Sequence, residues 1–224
     1  MLPRVLEPEV MDTAAEATDY DAMDHSAVNR RFVEDFLAVW NGLGPILDVG
    51  TGTVQIPIVL CQLRPDAQVV AVDYAEEMLR VGRDNVSRAG LTKRIRVQRC
   101  DAKQMPFPDA NFGAVISNSI VHHIPSPRSV LVEIKRVVKP GGWLFVRDLL
   151  RPNDDATVLH LVRTYAGEAN RHQQQMFEDS LRAALTLEEI RELTSELGFP
   201  AESVLQTTDR HWTWATTRGA TDVR

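Results

Sequence analysis

Four residues between positions 48 and 73 have the types and spacing of a binding crevice. Gly50 and Gly52 stand in the run Leu47-Asp-Val-Gly-Thr-Gly-Thr53, just after a short apolar stretch. Without side chains they allow a tight strand-to-helix turn and let a ligand lie against the backbone. Such a turn also occurs with no ligand. Asp73 closes a second apolar stretch a little over twenty residues on, the distance at which a carboxylate can accept both hydroxyls of a ribose. The bland reading of Asp73 is a solvated acid at a strand end. Asp48 precedes the glycines, where a carboxylate suits an ammonium group and repels a phosphate. A dinucleotide fits less well, because the third glycine of G-x-G-x-x-G would fall on Gln55. A nucleoside carrying a positive charge fits better.

The elements that must position these residues alternate. Apolar spacing predicts an amphipathic helix from Asp24 to Trp40, capped by Asp24 or Ser26. Strands follow at Pro45 to Val49, Gln68 to Asp73, Arg94 to Cys100, Phe112 to Asn118 and Trp143 to Leu149. Helices intervene at Gln55 to Leu63, Glu76 to Ala89 and Arg128 to Val138, the last stopped by Lys139-Pro-Gly-Gly142. Parallel neighbours need crossovers and the helices supply them, so the core is a doubly wound α/β sheet. Asp154 to Leu185 reads as one or two helices interrupting the alternation. Thr186-Leu-Glu-Glu189 is a capping box for a helix ending at Gly198, and two strands between Glu202 and Thr217 make a terminal antiparallel hairpin. Trp212 and Trp214 share one face of it, for the core first and an aromatic contact between subunits second. The ends, 1–19 and 218–224, read as loosely ordered.

Four segments together resemble the class I S-adenosylmethionine-dependent methyltransferases, in the branch containing small-molecule and quinone C-methyltransferases. They are Leu47-Asp-Val-Gly-Thr-Gly-Thr53, Val70-Ala-Val-Asp-Tyr-Ala-Glu-Glu-Met-Leu79, Cys100-Asp-Ala102 before Met105-Pro-Phe-Pro108, and Glu133-Ile-Lys-Arg-Val-Val-Lys-Pro-Gly-Gly142. The resemblance implies a mostly parallel seven-stranded Rossmann-like sheet with an antiparallel terminal hairpin, and S-adenosylmethionine as cofactor. It places Gly50 and Gly52 beside the methionine part, Asp73 on the ribose, Tyr74 and Met78 flanking the adenine, and Asp101 with Ala102 at its amino edge, with Asp48 and Thr51 as further cofactor-binding candidates. Asn118 would face the methionine ammonium or the acceptor. Val54 departs from the pattern, since many members carry a third glycine there.

Acceptor choice is expected outside this core. Tyr20 and His25 are candidate lid residues beside a helix of solvated charges. Arg163, Tyr165, Arg171 and His172 could meet an acidic substrate, although a mixed-charge run is usually a solvated face. His122 and His123 follow the fourth strand, where methyl group and acceptor should meet. One of them is a candidate general base, the alternative being a structural pair in the loop.

Composition narrows the partners. The chain of 224 residues has 25 basic and 31 acidic residues, a formal net charge of -6, which disfavours nucleic acid as the main partner. A small molecule is the expected acceptor, with a homodimer as a possible assembly. Cys61 and Cys100 are scattered, so no disulfide framework, Cys-rich metal site or arsenite-binding thiol set is expected, and no metal is called for. The opening MLPRVLEPEV lacks a signal pattern and no long apolar run occurs, so a cytoplasmic protein without a membrane span is expected. The sequence is read as one domain: a helical cap at 1–44, a cofactor core at 45–150, a helical insertion at 151–185, and a helix with hairpin at 186–224. Two readings compete with methyl transfer: a nicotinamide-dependent oxidoreductase using the same crevice, and a non-catalytic module that binds the nucleoside.

Overall fold

A computed structural model describes residues 2–7 and 12–219. Seven strands form one sheet in the order β3-β2-β1-β4-β5-β7-β6. They are β1 (Ile46–Val49), β2 (Val69–Asp73), β3 (Ile95–Arg99), β4 (Phe112–Asn118), β5 (Val138–Leu149), β6 (Val204–Gln206) and β7 (His211–Thr217). β1 runs parallel to β2 and to β4, and β2 parallel to β3, whereas β6 and β7 pair antiparallel with Leu205 opposite Thr213. The doubly wound sheet and terminal hairpin expected from the alternation are both present.

By contacts the chain divides into two compact units. One comprises 10–118, 129–146 and 216–224; the other comprises 1–9, 119–128 and 147–215. The larger unit holds β1 to β4 with helices α1 (Ala14–Ala22), α2 (Ser26–Val39), α3 (Gln55–Leu63) and α4 (Glu76–Arg88). Its β1 is buried at all four positions, as a strand covered on both faces requires. Phe32 and Phe36 of α2 are fully buried and meet Phe145 at 5.2 and 5.7 Å between ring centroids.

Helix α1 corrects the expectation of a loose N-terminal region. Thr13 and Glu16 form a reciprocal capping box, which satisfies the backbone donors at its start. That S/T-x-x-E signal is in the sequence but lacks the apolar stripe that marked the other helices. The start of α2 also differs: His25 holds the N-cap position without a side-chain bond, while Asp24 accepts the Ser26 N–H at 3.0 Å. Helix α5 (Pro127–Val137) ends as expected, but Lys139-Pro-Gly-Gly142 continues straight into β5. Gly141, at φ 74°, and Gly142 are held there by backbone bonds to Arg218 at 2.7 and 2.9 Å, so pairing overrides the turn.

The smaller unit contains α6 (Asp155–Ala166), α7 (Arg171–Ala183) and α8 (Leu187–Glu196). Leu149, Val158, Leu161, Val162, Leu181 and Ala184 form a core against which Leu2 and Phe177 pack. Thr186 and Glu189 make the expected capping box of α8. Trp212 and Trp214 are both fully buried, Trp214 edge-on to Phe199 at 5.1 Å, so these indoles supply core rather than a surface for a second subunit. No described helix is long and apolar enough to cross a membrane.

Candidate functional site

The strand order reverses direction at β1, which lies between β2 and β4, and open α/β sheets bind ligands beyond the carboxyl ends of strands at such a point. The loop leaving β1 there bends through three left-handed residues, Gly50 (φ 75°), Gly52 (φ 54°) and Val54 (φ 66°). A β-branched residue is strained in this region. The fold accommodates Val54 through Gly82 of α4: a Cβ on Gly82 would stand 2.3 Å from Val54 Cγ2. The missing loop glycine is thus matched by a glycine on the helix that faces it.

Three carboxylates stand at neighbouring strand ends. Asp48 is 2% exposed, and its Oδ2 accepts no hydrogen bond among the described residues. Burial pushes its carboxyl up to about 7, the Thr51 hydroxyl pulling against it and the Asp73 charge adding to it. Asp73 accepts the Gly52 N–H on Oδ2 at 2.8 Å and the Ala75 N–H on Oδ1 at 3.0 Å. Burial raises its pKa, with these backbone donors opposing. Each of its oxygens keeps a lone pair for a further donor. Asp101 accepts the Lys103 N–H at 2.9 Å, and the Lys103 ammonium lies 3.1 Å from the same oxygen.

The other expected cofactor residues take varied positions. Tyr74 is 47% exposed, with the Arg99 guanidinium 4.9 Å and the Lys103 ammonium 5.8 Å from its ring centroid. Met78 is instead buried with Ala17 and Ala75, and Tyr20 packs against this cluster, so Met78 fastens α1 to α4. Thr51 is buried, Ala102 half-buried, and Asn118 half-buried at the end of β4. Beside it the Ser117 hydroxyl donates to Val49 O at 2.8 Å, tying the ends of β4 and β1 together.

Tyr20 and His25 come together, with ring centroids 5.1 Å apart. Tyr20 also reaches the loop, its Cε1 lying 3.6 Å from where a Cβ on Gly52 would be. Burial, with Asp73, Asp48 and Asp21 adding, pushes the Tyr20 phenol up to about 12. Asp21, which sequence reasoning missed, holds this arrangement. Its Oδ1 accepts from Gln55 Nε2 at 3.1 Å and Asn85 Nδ2 at 2.8 Å, and Asn29 Nδ2 donates to Gln55 Oε1 at 3.1 Å. Gln55, at the third-glycine position, thereby ties α1 and α2 to the loop.

The smaller unit holds the two histidines in the 3₁₀ turn Val121–His123. His122 is 3% exposed, and its Nδ1 lies 2.5 Å from Asp148 Oδ1. Asp148 also accepts the N–H groups of Val121 at 2.5 Å and Leu149 at 2.6 Å. Burial opposes charge on His122, but Asp148 and Glu7 outweigh it and hold the pKa above the ordinary value. Glu7 Oε1 lies 3.5 Å from His122 Nε2 and 3.2 Å from His123 Nδ1. Neither Glu7 nor Asp148 was singled out by sequence, because their partners lie more than a hundred and about twenty-five residues away in the chain. Tyr165 is engaged within its own unit, donating to Asp209 Oδ2 at 2.6 Å beneath the Arg210 guanidinium.

Residues 47–146 match a family described as a methyltransferase domain. A demethylmenaquinone methyltransferase of Listeria monocytogenes serotype 4a is 36% identical over 109 residues, 48% of this chain and 46% of its own. A ubiquinone/menaquinone biosynthesis C-methyltransferase of Desulfotalea psychrophila is 33% identical over 111 residues, 50% of this chain and 44% of its own. The chain thus spans just under half the length of these curated relatives. Among solved structures, a SAM-dependent methyltransferase from Aquifex aeolicus aligns with a TM-score of 0.66 at 20% identity, covering 92% of this chain and 98% of that one. The plantazolicin methyltransferase BpumL, solved with a substrate analogue and SAH, aligns at 0.67 and 13% identity over 90% and 89%. These two likenesses establish the shared fold.

Proposed function

We propose that this chain, whose residues 47–146 match a methyltransferase domain, is an S-adenosylmethionine-dependent methyltransferase that transfers a methyl group to a small organic acceptor. The observation that carries the reading is Asp48 Oδ2, a buried carboxylate oxygen with no hydrogen-bond partner among the described residues, at the switch point of the sheet. A buried carboxylate is stable as an anion only when paired. The cofactor's ammonium would supply the partner.

In this reading Gly50, Thr51 and Gly52 border the methionine part, Asp73 accepts from the ribose hydroxyls, and Tyr74, Asp101 and Ala102 meet the adenine. Tyr20, fastened by Asp21 and Met78, covers the glycine loop and keeps water from it, with His25 beside it. Asn118 holds the ammonium or the acceptor. When bound, S-adenosylmethionine supplies a methyl group made electrophilic by its own sulfonium, so the chain's work is to hold an acceptor in line with it. A nicotinamide dinucleotide is disfavoured, because Gln55 fills the third-glycine position with a side chain held by Asp21 and Asn29.

The names of the relatives favour a quinol-type aromatic acceptor as the first to try. The proposed setting is the cytoplasm. A base role for His122 or His123 is a second element of the proposal, supported by Asp148, which orients His122 as the acid of a catalytic dyad would. Its test is replacement of each histidine by Gln, with a loss of turnover of about a hundredfold or more expected at the base and cofactor affinity nearly unchanged. Wild-type turnover in both variants excludes it. For the reaction itself, the protein is incubated with methyl-labelled S-adenosylmethionine and a cell extract. Mass spectrometry should show a labelled small molecule, and label in no product would contradict the proposal.

A further inference from the structure

The cluster Glu7, His122 and His123 lies entirely within the smaller unit. One ligand atom from each lies within 4.8 Å of the others. Glu7 is placed deliberately: Arg4 donates to Ala183 O at 2.7 Å and to His122 O and Ile124 O at 3.0 Å, and Val5 N–H donates to Arg182 O at 3.1 Å. The Ser180 hydroxyl donates to Glu7 Oε2 at 3.3 Å, which turns the other oxygen, Oε1, toward the histidines. That oxygen is buried and accepts no hydrogen bond among the described residues.

The orientation of the His122 ring follows from its surroundings. Asp148 is an acceptor held by backbone N–H groups, so His122 turns Nδ1 to it and Nε2 toward Glu7. A carboxylate fixing the far nitrogen of a histidine is also the outer-shell arrangement of zinc sites. Two ligands on a tetrahedral zinc, with bonds of about 2.0–2.2 Å, stand about 3.4 Å apart. The distances from Glu7 Oε1 to the two imidazole nitrogens, 3.5 and 3.2 Å, bracket that value.

We propose that Glu7 Oε1, His122 Nε2 and His123 Nδ1 bind a borderline divalent cation of the zinc class, with Asp148 orienting His122 and a fourth position left to water. Two imidazoles and a carboxylate suit such an ion better than calcium or magnesium, which prefer all-oxygen sets. No spacing rule points to a metal here, because Glu7 is separated from the histidines by more than a hundred residues. The site stands independently of the methyl-transfer reading. It also makes a distinct demand on the same residues, since a bound cation occupies the nitrogens that a base would need.

The test uses the full chain without a polyhistidine tag, dialysed against chelator and titrated with Co²⁺ alone, followed by visible absorption and calorimetry. One equivalent should bind with a visible ligand-field band, and Zn²⁺ should displace it. Glu7→Gln and His123→Ala, at partly exposed side chains, should each weaken Co²⁺ at least tenfold. Asp148→Asn should weaken it about 10- to 100-fold, as loss of an outer-shell partner does. Circular dichroism checks that each variant is folded, and a variant that unfolds is replaced by Glu7→Ala or His123→Gln. Absence of a saturable one-equivalent signal overturns the proposal. So does unchanged affinity in folded Glu7 and His123 variants, which would put the ion elsewhere.

Discussion

If Asp48 receives the cofactor's ammonium, affinity must follow its ionisation. Its carboxyl is pushed up to about 7 by burial, so in the ligand-free protein it is largely protonated at pH 6. The ionised fraction rises from about a tenth at pH 6 to about three quarters at pH 7.5, so binding should strengthen about eightfold, or ~1.3 kcal/mol. Below the midpoint, complex formation should release one proton per cofactor bound. Calorimetric titration of S-adenosylhomocysteine across this range, in buffers of differing ionisation enthalpy, measures both. Adenosine lacks the ammonium and keeps only the ribose contact with Asp73, so its affinity should change less steeply over the same range. Asp48→Asn should abolish the slope and cost about 1.5–3 kcal/mol of S-adenosylhomocysteine affinity, as for hydrogen bonds to charged groups. An S-adenosylhomocysteine affinity that does not change between pH 6 and 7.5, or an equal slope for adenosine, refutes the assignment.

Asp73→Ala should weaken both S-adenosylhomocysteine and adenosine by about 1.5–3 kcal/mol with the fold intact, and wild-type affinity in calorimetry would remove Asp73 from the ribose. Gly82→Ala should destabilise the protein, because the new methyl meets Val54 Cγ2 at 2.3 Å, and should cost less when Val54 is also Ala. Urea unfolding should show a coupling of about 1–3 kcal/mol, and additivity of the two changes would dismiss the contact. His211 has its pKa lowered to about 4, by burial first and then by Arg210 and Arg147. Between that value and about 6.5 the unfolded chain therefore binds more protons than the folded one, so stability should fall as pH drops through this window and be unaffected above it. His211→Gln should flatten that part of the urea midpoint profile, and an unchanged profile would show that another group controls it.

The fold was legible where physics is local. Period-two and period-3.6 patterns placed β1 to β4 and α3 to α5 within about two residues, and the Thr186 capping box placed α8. Lys139-Pro-Gly-Gly142 has the local chemistry of a turn, but its pairing to Arg218 keeps it extended. Helix α1 was missed because its sequence, AAEATDYDA, lacks an apolar stripe; its cap and the packing of Ala17 on Met78 hold it instead. The same limit governs the site. Gly50, Gly52, Asp48 and Asp73 sit on adjoining strand ends and were readable from spacing, and Val54 was visible as a departure. Its compensation at Gly82, the Asp21 hub and the junction of Glu7 with His122 are long-range contacts that no spacing rule encodes.

The most direct test of the central claim is a parallel equilibrium titration of the purified chain with S-adenosylhomocysteine and with NADH near pH 7.5. Saturable one-to-one binding of S-adenosylhomocysteine, with none of NADH, is the predicted result. Saturable binding of NADH with none of S-adenosylhomocysteine would contradict it.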